Sequence, residues 1–296
     1  MNIGQKIKKM RTAKLMTQAE LAGSEITRNM LSQIENGVAQ PSLDTVRYLA
    51  SRLNVSPSFL LAEGAEEQVY LKYVDIVNIK KAYMNEDFRI CRDLCLKADS
   101  QGDDEIGMIL SECNLEIAVE EFNTGNLRMA CACFDECIES CTATIYRTET
   151  VLAKIALYFR YMRLISATLG SNVIDEEEIN LYPALTDDVS RYMWLMDQTE
   201  SALQRELPLP DIDAMGMDQT KAYYLHLEAR SWIRQRNYAA AFQNLHGILV
   251  DQQFIPEPML YFVFCDLELC CRELDDYKRA YEYNNDKLAL LQKMLT

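Results

Sequence analysis

Apolar residues recur at helical spacing along the whole chain, and no stretch alternates in the manner of a half-buried strand. Ile3, Ile7, Met10 and Leu15 predict an amphipathic first helix, with Lys6, Lys8, Lys9 and Arg11 on its outer side. Thr17 opens a second helix, because its hydroxyl can accept an otherwise orphan N–H. Glu20, three residues on, completes a capping box. Thr27 is the matching N-cap of a third helix, which Gly37 stops in the left-handed conformation after Asn36. Met30, Leu31 and Ile34 mark the inner face of that third helix, and Arg28, Asn29, Ser32 and Gln33 the outer. Pro41-Ser42-Leu43-Asp44 starts a fourth helix that runs to Leu53, capped by Ser42, with Val46, Leu49, Ala50 and Leu53 inward. Ser56-Pro57 opens a short fifth helix to Leu61, where Pro suits the first helical position. The run Ala62-Glu63-Gly64-Ala65-Glu66-Glu67 is small and acidic and reads as a linker, dividing the chain into domains 1–64 and 65–296.

The second part repeats. Four of its segments read as a helix, a short polar turn and a second helix. The turns are Met84-Asn85-Glu86-Asp87-Phe88, Asn123-Thr124-Gly125-Asn126-Leu127, Arg236-Asn237-Tyr238 and Leu274-Asp275-Asp276-Tyr277. Each is followed, three residues later, by a small side chain: Cys91, Ala130, Ala241 and Ala280, in steps of 39, 111 and 39. The middle step is close to three periods, which predicts degenerate helical pairs in 142–217. Pro208-Leu209-Pro210 and Pro256-Glu257-Pro258 are helix breaks between pairs. The fold class is all-α throughout.

Charge sharpens the division. Residues 1–64 hold eight basic and five acidic residues, a charge of +3, so the remainder of a chain of net charge −15 carries −18. A basic module on an acidic body is the pattern of a protein that touches nucleic acid at one end only. On the third helix Arg can read guanine, while Asn and Gln pair bidentately with adenine. No segment approaches the ~18 uninterrupted apolar residues of a membrane span. The start, Met1-Asn2-Ile3-Gly4-Gln5-Lys6, lacks an apolar signal core. A cytoplasmic protein is expected, with its ten cysteines reduced.

The ordered set T-Q-A-E-L-A (from Thr17), S-Q-I-E-N-G (from Ser32), P-S-L-D-T (Pro41 to Thr45) and L-N-V-S-P-S-F-L-L (Leu53 to Leu61) resembles the helix-turn-helix of Xre/Cro-type regulators. The resemblance covers residues 3–61 and implies a five-helix, lambda-repressor-like DNA-binding domain. It maps base and phosphate contacts to Gln18, Arg28, Asn29 and Gln33, with Asn36 near the backbone; Thr27 and Ser32 complete the DNA-facing set. One departure is the turn Gly23-Ser24-Glu25-Ile26, a residue shorter than the family's usual turn. Residues 70–295 resemble a tetratricopeptide-like α-α superhelix, with a period longer than the usual ~34. The two in this order are similar to the cytosolic peptide-responsive regulators of the Rgg/PlcR/PrgX type. That resemblance implies a homodimeric transcription factor on a palindromic double-stranded operator, whose repeat domain binds a short signalling peptide. The competing reading is an Xre-family repressor whose repeat domain binds a protein partner or no diffusible ligand.

For a peptide groove the candidates are Asn78 and Asn114, 36 residues apart and each able to clamp a peptide backbone. To these we add the aromatic and basic cluster Tyr158, Arg160, Tyr161 and Arg163, suited to a carboxylate. Packing roles compete for each of them. The cysteines fall at helical spacing (Cys133, Cys137, Cys141; Cys91, Cys95), as a core stripe produces, although thiols on one stripe could bind a soft metal or sense oxidation. His226 and His246 lack a metal-ligand spacing and are expected on helix surfaces or in local pairs. Asp175-Glu176-Glu177-Glu178 reads as a solvated helix N-terminus. With no nucleotide loop or nucleophile elbow present, an enzyme is disfavoured, and no cofactor or metal is expected.

Overall fold

The computed structural model describes residues 2–63, 65–98, 103–142, 144–171, 173–205, 207–208, 210–251 and 254–296. Gly64 of the expected linker and Leu209 of the expected Pro-Leu-Pro break lie outside them. Among the described residues there are helices and no strand. The chain divides into two compact units, Met1–Lys81 and Ala82–Thr296.

The first unit begins with five short helices: α1 (Ile3–Ala13), α2 (Gln18–Ala22), α3 (Arg28–Glu35), α4 (Leu43–Leu53) and α5 (Pro57–Leu61). The local signals hold. The Thr17 side chain accepts from Glu20 N while the Glu20 carboxylate accepts from Thr17 N, and Thr27, Ser42 and Ser56 cap the next three helices. Ile7, Leu21, Leu31, Ile34, Val46, Leu49, Ala50, Leu53 and Leu60 form the core. Two expected positions differ. Leu15 is 92% exposed rather than inward, because α1 stops at Ala13 and Leu15 turns into the left-handed region (φ 56); Met16 packs on the core instead. Lys6, expected outside, is 2% exposed, and its ammonium donates to Phe59 O (3.1 Å) and Ala62 O, capping carbonyls at the end of α5. The unit continues into α6 (Ala65–Met84), whose last turn contains the division between the units.

The second unit stacks helical pairs: α7 (Phe88–Ala98) after α6, α8 (Asp104–Asn123) with α9 (Leu127–Thr142), and α10 (Glu149–Ile165) with α11 (Asp188–Gln204). The last two pairs are α12 (Ala222–Arg234) with α13 (Tyr238–Val250), and α14 (Glu257–Glu273) with α15 (Tyr277–Leu295). The four turns read from sequence share one backbone geometry. Glu86, Gly125, Arg236 and Asp275, each two residues before the next helix, take φ of 60, 79, 59 and 60. The N–H that follows each donates back to the preceding helix, at Ala82 O, Glu121 O, Trp232 O and Cys271 O. Such Schellman stops satisfy carbonyls that the helix leaves orphaned. Cys91, Ala130, Ala241 and Ala280 are buried at the crossings, where a small side chain lets paired helices approach.

Among the described residues the interval 142–217 holds one pair, α10 and α11, rather than the degenerate pairs that its spacing predicts. The extra length lies in a connection of 166–187 carrying two 3-10 turns, Glu176–Glu178 and Tyr182–Ala184, and in the run after α11, which carries a third, Asp213–Met215. The acidic run of the connection does start a short helix, the Asp175 side chain accepting from Glu177 N, with Asp175, Glu177 and Glu178 exposed. Glu176 differs, at 4% exposure, accepting from Ser171 N (2.8 Å) and from Arg163 (3.0 Å). One core runs from Leu115 to Met294. At its ends α14 packs on α8 and α15 on α9, so the array returns upon itself.

Candidate nucleic-acid interface

The third helix owes its position to close packing. Gly4 of α1 lies against α3, where a Cβ would meet Ile34 O at 2.0 Å, so no larger residue fits. In the shortened turn Gly23 holds φ 55, and a Cβ there would strike the Tyr48 hydroxyl at 2.2 Å. That hydroxyl donates to Ala22 O (2.9 Å), fixing the end of α2. The helix stops in a Schellman motif, with Gly37 N donating to Ile34 O and Val38 N to Gln33 O.

On α3 Leu31, Ile34 and Glu35 face inward at 0%, 1% and 3% exposure. Met30, expected with them, is 36% exposed, because at 3.6 residues per turn it lies at the edge of that stripe. Asn29 and Gln33, one turn apart, point away from the core, with Arg28 and Thr27 exposed at the helix start, Ser32 half-buried, and Asn36 exposed at its end. The outward face thus carries two amides capable of bidentate base pairing and one guanidinium.

Gln18 is placed differently. Its side chain donates to Glu35 Oε2 (2.9 Å), and Arg11 closes the other side of the same carboxylate with Nε to Oε1 (2.7 Å) and Nη2 to Oε2 (3.1 Å). Arg11 Nη1 also donates to Met16 O (2.7 Å). Burial works against the charge on Glu35, but the hydrogen bonds from Arg11 and Gln18 outweigh it and hold the carboxyl below its ordinary range. The Glu35 hydrogen bond in turn raises the Arg11 guanidinium. This buried pair locks α1, α2 and α3 together and leaves Gln18 at the rim with a fixed rotamer. The acid of S-Q-I-E-N-G was visible in sequence; its partner at Arg11, 24 residues upstream, was not. With Lys6 buried and Arg11 neutralised, the cationic surface of residues 1–64 reduces to Lys8, Lys9, Lys14, Arg28, Arg47 and Arg52.

In the second unit the proposed peptide residues separate. Tyr158 and Tyr161 are core side chains at 3% and 1% exposure, and Tyr158 packs edge-on to Phe122 at 4.8 Å. Arg160 donates to the carbonyls of Glu176 (2.8 Å) and Glu177 (3.2 Å), and Arg163 pairs with both carboxylates. These cations hold the 166–187 connection down. Asn114 is 4% exposed and reaches Ser140 across its helical pair, whereas Asn78, in the first unit, is exposed.

His226, expected on a helix surface or in a local pair, is fully buried and paired, in a polar chain whose members sequence reading missed. Tyr161 OH and Tyr192 OH lie 3.3 Å apart, Tyr192 OH is 2.8 Å from His226 Nδ1, and His226 Nε2 is 3.0 Å from Asp266 Oδ2. Arg230 Nε meets the same Asp266 oxygen (3.2 Å) and its Nη2 meets Glu200 (2.5 Å). Burial holds the imidazole below its ordinary value, against the pull of Asp266. A neutral ring with Nε2–H donating to Asp266 and Nδ1 accepting from Tyr192 satisfies every atom. His226 and Asp266 stand 40 residues apart, close to one repeat, the signal that could have joined them. His246 is exposed on α13 beside Phe242, 5.7 Å between centroids.

Eight of the ten cysteines are buried and two half-buried. Burial pushes the Cys131 and Cys270 thiols up to about 12 and Cys265 up to about 11, which keeps them protonated and poorly nucleophilic. Among the described residues no group of three His, Cys, Asp or Glu side chains is placed to hold a metal. Nor, among them, is any helix long and apolar enough to cross a membrane.

Residues 7–60 match the helix-turn-helix family model, so the protein carries a helix-turn-helix DNA-binding domain. Two solved structures align over nearly the full chain. One is the apo form of the competence regulator ComR from Streptococcus vestibularis, at 16% identity, 97% of both chains covered and a TM-score of 0.24. The other is PlcR from Bacillus thuringiensis in complex with the peptide PapR7 and DNA, at 15% identity, with 99% of this chain and 96% of that one covered and a TM-score of 0.23. No curated protein matches the sequence.

Proposed function

We propose that the protein is a cytoplasmic, homodimeric transcription regulator that binds a palindromic operator through Arg28, Asn29 and Gln33 of α3, and whose repeat unit answers to a short peptide. The observation that carries it is the outward pair of amides on a helix held rigid by the Arg11–Glu35–Gln18 lock. Gln18 and Asn36 flank that face and serve phosphate, with Thr27 and Ser32 completing the contact. One such helix reads too few bases for high specificity, and two-fold pairing of half-sites supplies the rest. Tyr277, Tyr281 and Leu288 lie on one side of α15 at 65%, 68% and 50% exposure. This uncharged apolar stripe, on a body of charge −18, supports a contact between two copies. Stacked helical pairs present extended surfaces to peptide segments. A peptide that favoured one arrangement of the heads would shift the population toward it.

The test is selection of operator fragments from random duplex DNA on the full chain, with light scattering of the complex. Recovery of an inverted repeat bound by two copies is the expected outcome; a single half-site bound by one copy would remove the dimer. Thermal denaturation against peptide fractions of the producing cell's medium then addresses control, and saturable stabilisation by one fraction is expected.

A further inference from the structure

Cations are outnumbered in Ala82–Thr296, yet Arg89, Arg92, Arg128 and Lys293 gather around one cleft of about 380 Å³. Arg89 and Arg92 come from α7, Arg128 from the first turn of α9, and Lys293 from the end of α15, so the return of α15 onto α9 assembles the cleft. Its floor carries the apolar Ile117, Cys133 and Met294, 2%, 6% and 1% exposed, and Met129 stands half out at the mouth. The one acidic side chain in the lining, Glu121, is held by Arg89 and Asn126. Three of the cations are partly engaged. Arg89 Nη2 meets Glu120 (3.2 Å) and Glu121 (2.7 Å), Arg92 Nη2 meets Glu136, and Lys293 meets Glu257. A guanidinium carries five N–H donors in a fixed fork, so each of these arginines keeps donors beyond those its Nη2 commits. Among the described residues Arg128 has no ion pair. The start of α9, a helix of 16 residues, adds its own partial positive charge at the same place.

We propose that this cleft seats the C-terminal carboxylate and last apolar side chain of a short peptide. The proposal rests on the peptide-responsive reading above and gives that ligand an end and an address. A carboxylate suits the guanidinium fork bidentately, and the buried methionine and isoleucine surface takes one side chain. The volume lies in the range of small-ligand pockets, about 300–1,000 Å³, and is too small for a folded partner. A bare phosphate would satisfy the cations but leave the apolar floor unused.

The experiment uses the full chain labelled with ¹³C-methyl methionine, whose Met129 and Met294 signals report on the mouth and floor. The probes are N-acetyl-Leu-Leu with a free carboxylate, its C-terminal amide and inorganic phosphate. Saturable movement of both methyls by the acid is expected, with at least about tenfold weaker response to the amide, a loss of roughly one charge-assisted contact. Arg128→Ala and Arg92→Ala should each weaken the acid about tenfold and leave the amide unchanged. Arg128 is exposed, so its replacement leaves the fold intact. Equal movement by acid and amide, equal movement by phosphate, or none at millimolar dipeptide would each overturn the proposal. Medium peptides that stabilise wild type and both variants alike would also overturn it while leaving the peptide-responsive reading standing. Dipeptide binding without stabilisation by any medium peptide would sink that reading and keep the carboxylate seat.

Discussion

Both units bury a carboxylate against an arginine, and they use it for different ends. In the helix-turn-helix unit Glu35 is held by Arg11 and Gln18, and the lock lies directly behind the outward face of α3. In the repeat unit Asp266 is held by Arg230 and His226, and the chain of hydrogen bonds continues through Tyr192 to Tyr161, tying α10, α11, α12 and α14. The first positions a surface; the second fixes the stacking of pairs distant in sequence. A buried ion pair contributes little net stability against an apolar equivalent, but removing one partner strands the other charge in a low-dielectric interior. The two locks should therefore fail in distinguishable ways.

The largest effect is expected from Asp266→Ala, which leaves buried Arg230 with Glu200 alone and His226 without its acceptor. A loss of about 3–5 kcal/mol should appear as a lowered denaturant midpoint, with operator affinity of the folded protein unchanged. Glu35→Ala should cost a similar amount and also weaken operator binding, because α3 loses its anchor; unaltered DNA binding in that variant would erase the contrast between the locks. Next in size, Arg28→Ala and Gln33→Ala should each cost about 1–3 kcal/mol of discrimination between operator and random DNA. Thermal stability should not change, as both side chains are exposed, and the pair of readouts separates contact from fold.

A smaller effect concerns pH. The folded-state value of His226 lies below its unfolded one near 6.5, so on acidification the unfolded chain takes up a proton first. Stability should thus be fully present above that value and fall as pH drops beneath it, by at most about 1.4 kcal/mol per pH unit for one proton. His226→Gln should flatten that part of the profile, measured by denaturation from pH 7 to pH 5. A slope unchanged by the substitution would assign the effect to other groups. Smallest of all, Leu15→Ser should alter stability by less than about 0.5 kcal/mol, since the residue lies outside the core it was expected to join.

How much was legible follows from the range of the forces involved. Thr17, Thr27, Ser42 and Ser56 announce helix starts through contacts no more than three residues away, and the stop at Gly37 needs only one conformation. All of these could be read from the chain, as could the four turns ending at Phe88, Leu127, Tyr238 and Tyr277, whose shared left-handed residue is a local event. Leu15 and Met30 misled because apolar spacing marks a stripe but not its edges. Tyr158, Tyr161 and Asn114 misled because an amphipathic side chain reads the same in sequence whether its neighbours cover it or not.

The sequence by itself determined an all-helical chain, a basic helix-turn-helix head, an acidic repeated body and the identity of the side chains that α3 turns outward. Hydrogen bonds, caps and charge counts within a turn or two of each residue suffice for that. Only the tertiary structure decided that Arg11 meets Glu35, that His226 meets Asp266, that Arg160 and Arg163 serve the 166–187 connection, and that α15 brings Lys293 to Arg128. These pairings depend on burial and on helix stacking across many residues, where a long-range charge partner is chosen by whichever groups the packed core leaves unsatisfied.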